Sequence, residues 1–100
     1  MVQNLTDSID YQEDTVVSKS LLKSVGGNVT LFAFSQGQEL SEHSTPHHAM
    51  VQCLEGELEF TWNGESTVLK SGDFFIMQPH APHAVKAISD FEMLLTLIKK

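Results

Sequence analysis

The feature that most constrains this chain is the regular recurrence of turn residues, about one turn every ten residues from Thr15 onward. Glycine, asparagine and aspartate cluster at these points, as in Gly26-Gly27-Asn28 and Ser71-Gly72-Asp73. Between the turns, apolar and polar side chains alternate, as in ELEFTW, and no stretch keeps a helical period for more than about two turns. The pattern predicts an all-β domain of about eight or nine strands, with the spacing typical of a sandwich, jelly roll or small barrel.

The positions of individual strands follow from this alternation. Asn63-Gly64 is the strongest hairpin signal and predicts a type I′ turn. In VTLFAFS both alternating sets are apolar, with Leu31 on one face and Phe32 on the other, so both faces of that strand must be covered. We predict strands over residues 15–24, 29–35, 39–43, 49–55, 57–62, 65–70, 74–77, 83–88 and 91–98.

The chain length of 100 residues allows one domain and excludes a second. Apolar residues make up 41% of the chain, which is enough for a packed core. Residues 1–14 carry four carboxylates and no lysine, so we predict an acidic N-terminal arm, with Ile9 and Tyr11 docking on the body of the protein. The single β-domain is then expected over residues 15–100.

The charge balance excludes two classes of partner. Six lysines, no arginine and thirteen carboxylates give a formal net charge of -7, which lacks the basic surface that nucleic acid or anionic lipid requires. The absence of arginine also disfavours phosphorylated substrates. No apolar run approaches the roughly 18 residues of a membrane span, and the single cysteine, Cys53, excludes an internal disulfide. We therefore expect a cytoplasmic protein.

All five histidines fall in two short windows, which is the main indication of a functional site. His43, His47 and His48 form the first window, and His80 and His83 form the second. Imidazole is the commonest transition-metal ligand, and a closed β-fold could bring both windows to one end of the molecule. The alternative is that the histidines are polar residues at strand ends, with His43 or His83 satisfied by a neighbour in the core.

The first histidine window resembles the first motif of the small single-domain cupins. That motif reads G, five residues, H, one residue, H, three or four residues, E, six residues, G. Here Gly37, His43 and Gly56 stand in its frame, whereas Thr45 takes the place of the second histidine and Ala49 that of the glutamate.

The second window is similar to the second cupin motif, with Gly72, Pro79 and His83 in matching order and His80 in place of a glycine. The resemblance extends from about Val16 to the end and implies a cupin-type antiparallel β-barrel, or jelly roll, of two packed sheets. At a turn that requires positive φ, His80 would carry a strain of about 1 kcal/mol. His80 is either a loop residue or a proton-transfer group beside the pocket mouth.

The family resemblance also implies a metal centre, built from the histidines and glutamate of the first motif and the histidine of the second. Only His43 and His83 carry over, so a convincing site needs a third ligand. His47 shares the strand parity of His43 and is the preferred candidate, and His48 is the other. Gln52 and Gln78 are more remote possibilities.

The resemblance implies three possible functions. The first is binding of a divalent transition metal, Ni, Zn, Mn or Fe, together with a small-molecule ligand. The second is a metal-free pocket that binds a small neutral or aromatic ligand or regulates a partner. The third is acid–base catalysis by His43 and His83 without a metal. Whether the protein is an enzyme stays open at this point, because cupins host unrelated chemistries on one scaffold.

The resemblance further suggests how the pocket and the assembly are built. Small cupins commonly form homodimers, and the apolar final segment FEMLLTLI is long enough to be covered by a partner. We expect the barrel cavity to be lined by His43, Thr45, Val51, Cys53, Gln78 and His83 and by aromatic side chains such as Phe34, Phe60, Trp62 or Phe75.

Overall fold

Alternation of side chains along the chain produces an all-β structure in the computed structural model, which describes residues 2–99. Nine strands are present in this range, and none of its residues is helical. The strands are β1 (Val16–Ser24), β2 (Gly27–Phe34), β3 (Glu39–His43), β4 (His48–Glu55), β5 (Glu57–Trp62), β6 (Glu65–Lys70), β7 (Phe74–Met77), β8 (His83–Ala87) and β9 (Phe91–Ile98).

The strands form two antiparallel sheets that pack face to face as a jelly roll. One sheet has five strands in the order β1-β2-β9-β4-β7, and the other has four in the order β3-β8-β5-β6. The final segment, β9, lies between β2 and β4, and both of its edges are hydrogen-bonded within the chain, so a partner cannot add a strand there. The open sheet edges are instead β1, β7, β3 and β6.

The strand bounds agree closely with the sequence prediction. β3, β5, β6, β7 and β9 have the predicted limits, and the others differ by one or two residues. The Asn63-Gly64 hairpin forms as predicted, since both residues have the positive φ values, 48° and 82°, that a type I′ turn requires.

The core lies between the two sheets and is built from the inward-facing set of each strand. Phe34 and Phe91 stack with their ring centroids 4.4 Å apart, and neither is exposed to solvent. Cys53 is buried in the same core, and burial raises the pKa of its thiol, so it packs as a small apolar side chain. The buried members of this core are Phe34, Ala49, Val51, Cys53, Leu58, Phe60, Leu69, Met77, Val85, Ala87, Phe91 and Met93.

A second, smaller apolar cluster lies on the outer face of the five-stranded sheet, beneath the N-terminal arm. Residues 2–15 form no strand, and Ile9 from this arm packs against Leu31 and Ala33 of β2. Tyr11 packs against the same cluster. The arm therefore covers the outer face of β2, which explains why both faces of that strand are apolar.

Among residues 2–99, no helix combines the length and the apolar character that a bilayer crossing requires.

Candidate functional site

The antiparallel pairing of β3 with β8 brings the two histidine windows together. His43 and His83 are register partners across these strands, and their rings lie edge to face with centroids 4.2 Å apart and an angle of 63°. These are the two histidines that the cupin resemblance carries over. Because a direct cross-strand pair shares one face of the sheet, both imidazoles point toward the inner face of the barrel at its end.

His83 is the buried member of the pair. Its side chain is only 5% exposed, and its ring lies nearly parallel to Phe60 and Trp62 with centroid distances of 6.2 and 6.4 Å. Its Nδ1 is 3.1 Å from the Ala81 carbonyl oxygen. A carbonyl can only accept, so Nδ1 carries the proton in the neutral ring and Nε2 keeps a free lone pair.

Burial lowers the pKa of His83, and the neighbouring His43 lowers it further, against the opposing effect of the hydrogen bond to Ala81. His83 is therefore uncharged at neutral pH.

His43 is exposed and is held by the same kind of contact. Its Nδ1 lies 2.8 Å from the Ser41 carbonyl oxygen, so Nδ1 donates and Nε2 is again free in the neutral ring. Both imidazoles thus have their orientation set by a backbone carbonyl close in sequence. The arrangement leaves one unengaged ring nitrogen on each histidine.

The loops that carry the two windows are joined by a backbone hydrogen bond. The N–H of His80 donates to the carbonyl oxygen of Thr45 at 2.7 Å. His80 has a φ of 70°, so the left-handed conformation expected from the family glycine is present. The side chain of His80 is exposed.

The structure does not bring the other first-window histidines to the pair. His48 is exposed at the start of β4, and because its neighbour Ala49 faces the core, alternation places His48 on the outer face of the sheet. His47 is half-buried, and its backbone N–H lies 3.3 Å from the Thr45 hydroxyl. Its Nδ1 is buried without a hydrogen-bond partner in the described part of the chain.

The fit to a metal ion is therefore incomplete. Within residues 2–99, no three or more histidine, cysteine, aspartate or glutamate side chains converge in a way that could hold an ion. Thr45 and Ala49 occupy two positions where the cupin resemblance expects ligands, and Ala49 is a buried core residue. The residues present offer two imidazoles, which is fewer than the three protein ligands of a typical resident catalytic metal.

Aromatic side chains line the inner side of the histidine pair. Phe75 contacts both Phe60 and Trp62, with ring centroids 4.7 and 5.3 Å apart. Trp62 is the register partner of His83 across β5 and β8. The expected cavity is thus partly filled, because Val51, Cys53 and Phe34 belong to the close-packed core, and the expected lining residue Gln78 is exposed.

Two features of the molecule were missed in the sequence analysis. The hydrogen bond between Thr45 and His80 uses main-chain atoms, which leave no signal in residue type. The other is Glu92, which is buried at 3% exposure on the outer face of the five-stranded sheet. The sequence does contain a signal for this buried carboxyl group, since Glu92 is the only charged residue in the segment FEMLLTLI.

Comparison with known proteins agrees with this geometry. The Cupin domain family matches residues 30–99. A conserved protein of unknown function from Streptococcus pyogenes superposes with a TM-score of 0.94 at 33% identity, covering 100% of this chain and 88% of the other. A cupin superfamily protein from Desulfitobacterium hafniense gives a TM-score of 0.92 at 26% identity, covering 96% and 88%.

A third solved structure extends the comparison to a longer chain. A cupin 2 conserved barrel domain protein from Leptotrichia buccalis gives a TM-score of 0.93 at 34% identity, covering 97% of this chain and 47% of the other. No curated protein matches the sequence. Because the family match spans more than half of the chain and the two sheets have the jelly-roll arrangement, this protein belongs to the Cupin domain family.

Proposed function

We propose that this protein binds a small neutral molecule at the end of the barrel where His43 and His83 meet. The observation that carries the proposal is the buried, uncharged His83 imidazole, oriented by the Ala81 carbonyl and flanked by Phe60 and Trp62. Membership of the cupin family supports a small-molecule or metal-binding pocket in general.

The chemistry of the side chains indicates the class of ligand. A neutral imidazole with a free Nε2 accepts a hydrogen bond from a hydroxyl or amide group, and an exposed imidazole such as His43 offers a second partner. The half-buried rings of Trp62 and Phe75 provide apolar surface for a flat molecule. With no arginine in the chain, a strongly anionic ligand lacks the usual bidentate partner.

The proposal is tested by NMR titration with two neutral aromatic probes, benzyl alcohol and benzamide. We expect saturable shifts of the Trp62 indole N–H and the His83 amide, and their loss in His83→Gln. His48→Gln is the matched control, because His48 is exposed on the outer face of the sheet. Binding that is unaffected by His83→Gln, or the absence of saturable shifts with either probe, would overturn the proposal.

Loose binding of a divalent transition metal by His43 and His83 is a second candidate. The observation that favours it is that both Nδ1 atoms contact backbone carbonyls, an arrangement that orients the free Nε2 of metal-binding histidines. Of the candidate third ligands in the described residues, the half-buried His47 does not complete a group of three ligands with the pair, and His48 lies on the outer face of the sheet. Two imidazoles completed by water would hold Ni, Zn, Mn or Fe weakly.

We also propose that two copies associate through the edge of β1. From Ser18 to Ser24 this strand is exposed, it pairs only with β2, and Leu22 is 63% exposed. A long unpaired edge with apolar side chains favours pairing with a second copy. Sedimentation at micromolar concentration should show a dimer that Leu22→Lys dissociates, whereas Val68→Lys on the edge strand β6 should leave it intact. A monomer in the unmodified protein contradicts this proposal.

A cytoplasmic location is part of the same proposal. It is supported by the single cysteine, which is buried and unpaired in the described residues and suits a reducing compartment. Cell fractionation with an antibody against the native chain tests it, and recovery of the protein in the periplasmic or membrane fraction would contradict it.

A further inference from the structure

The N-terminal arm is held on the outer face of the five-stranded sheet by a small number of separate contacts. Ile9 is 8% exposed and packs on Leu31 and Ala33. The Tyr11 hydroxyl donates to Glu55 Oε1 at 2.7 Å. Lys19 of β1 donates to the Ser8 carbonyl oxygen at 3.1 Å. The arm therefore closes over the sheet without any strand pairing.

Two further contacts fasten the end of the arm. The hydroxyl of the buried Ser35 donates to the Gln12 carbonyl oxygen, and the Ser35 backbone N–H donates to the Thr15 carbonyl at 3.1 Å. These contacts hold residues 12–15 where the chain enters β1. Residues 5–11, which precede them, are held on the sheet by the contacts of Ile9, Tyr11 and Lys19.

A buried carboxyl group lies in the sheet at this place. Glu92 of β9 is 3% exposed, and it pairs in register with Ala33 of β2 on one side and with Glu55 of β4 on the other. Its Oε1 atom is buried and has no hydrogen-bond partner in the described residues. The site therefore places a second carboxyl group next to the one that anchors Tyr11.

We propose that residues 5–11 form a pH-sensitive clasp, which is closed while Glu92 is protonated and is loosened when Glu92 ionises. This device lies on the outer face of the barrel and does not depend on the function proposed for His43 and His83. Opening of the clasp uncovers the apolar side chains of Leu31, Leu54 and Leu94, which the arm covers in the closed form.

The groups that surround Glu92 supply the driving force for opening. Burial and, after it, the neighbouring carboxylates of Glu55, Asp10 and Asp7 together raise the pKa of Glu92 to about 7. Burial and the neighbouring carboxylates likewise raise the pKa of Tyr11, so its hydroxyl stays protonated and remains a donor to Glu55. The Asp90 carboxylate faces Tyr11, and Lys19 is the cation that contacts the arm.

The direction of the pH effect follows from the raised pKa. An exposed glutamate in the open form ionises near its ordinary value of about 4.3, so the closed form holds the proton more tightly. Raising the pH from 5 to 8 therefore favours the open form, and proton linkage predicts an increase of about ten- to a hundredfold in the ratio of open to closed arm.

The arm can be observed directly through its isoleucine. Of the four isoleucines, Ile9 belongs to the arm and is buried against the sheet, whereas Ile76, Ile88 and Ile98 are exposed and serve as internal references. In the full chain labelled at isoleucine methyl groups, we expect the Ile9 signal to move toward the exposed references between pH 5 and 8. Relaxation dispersion measures the open population where it is only a few per cent.

Three comparisons decide the proposal. Glu92→Gln, which stays neutral, should keep Ile9 in the closed position at every pH, whereas Glu57→Gln, at an exposed carboxylate, should titrate as the unmodified chain does. Tyr11→Phe should raise the open population already at pH 5. In the unmodified chain, the NMR signal of the Glu92 carboxyl carbon should titrate with the same midpoint as the Ile9 methyl signal. This comparison does not depend on the folding of any variant.

An Ile9 methyl signal that does not change with pH overturns the clasp, as does a titration that persists unchanged in Glu92→Gln. Different midpoints for Glu92 and Ile9 also overturn it. Coincident midpoints together with a flat profile in Glu92→Gln support it.

Discussion

The ring of the buried His83 lies against that of the exposed His43, with their centroids 4.2 Å apart across the β3–β8 pair. Burial and the neighbouring His43 both lower the pKa of His83, burial being the larger cause. His43 itself stays in contact with solvent. The pair therefore contains one buried histidine that is uncharged at neutral pH and one exposed histidine.

Acidification should reduce the free energy of unfolding through His83. In the unfolded chain its imidazole takes up a proton near pH 6.5, whereas the lowered pKa in the folded state resists protonation, so stability is lost as the pH falls below about 6.5. Urea unfolding between pH 5 and 7.5 measures this loss. His83→Gln removes the contribution, and parallel pH profiles for the two proteins would contradict the prediction.

Replacement of Gly56 by alanine should be strongly destabilising. Gly56 has a φ of 79°, and a β-carbon built there would overlap the Asp90 carbonyl and Phe91. Positive φ and overpacking together cost about 2–5 kcal/mol. Gly64→Ala is a matched control, since its φ of 82° is nearly the same but its β-carbon meets no atom within 4 Å, so it should lose only about 1–2 kcal/mol. Equal losses in urea unfolding would contradict the steric argument.

The left-handed conformation of His80 gives opposite predictions for two replacements. His80→Gly relieves the strain of a φ of 70° but adds chain entropy to the unfolded state, so the free energy of unfolding should change by zero to about +1 kcal/mol. His80→Val places a β-branched residue in the same conformation and should lower the free energy of unfolding by about 1 kcal/mol or more. Thermal unfolding of both variants measures the difference, and a more stable valine variant would contradict it.

Metal retention should depend on the paired histidines and on no other histidine. Protein without a histidine tag is brought to equilibrium by dialysis against nickel, zinc, manganese or iron salts, and the metal held in excess of the dialysis buffer is measured for each element. His43→Ala and His83→Ala should each abolish whatever metal the unmodified chain retains, because two imidazoles are the least that can hold it. His80→Ala and His48→Ala should retain it, and retention in His83→Ala would exclude the second candidate function.

Local signals in the sequence were sufficient to predict most of the strands. Asn63-Gly64 determines its hairpin through residues that accept positive φ, and ELEFTW reveals its buried face by alternation, so both were predicted with their bounds. The position of the last strand could not be predicted in this way. FEMLLTLI reads as an apolar strand, but its place between β2 and β4 depends on pairings with residues far away in the chain.

The candidate site shows the same division between local and distant information. Spacing and family resemblance placed His43 and His83 together, and the β3–β8 register confirms that they are neighbours. The alternation of side chains along β3 did not identify a third metal ligand. Pro46 turns the chain before β4, so the alternation along β4 begins anew at His48. Docking of Ile9 and Tyr11 on the body of the protein was predicted from their apolar character. The buried carboxyl group of Glu92 was not predicted.

The link between Thr45 and His80 has a consequence for how this barrel can change. Because it joins main-chain atoms, replacing the side chain at either position leaves its donor and acceptor in place. Positioning of the two loops is thus separate from the chemistry that their side chains supply. Substitutions in these loops can therefore change which side chains are presented at this end of the barrel while the frame that presents them persists.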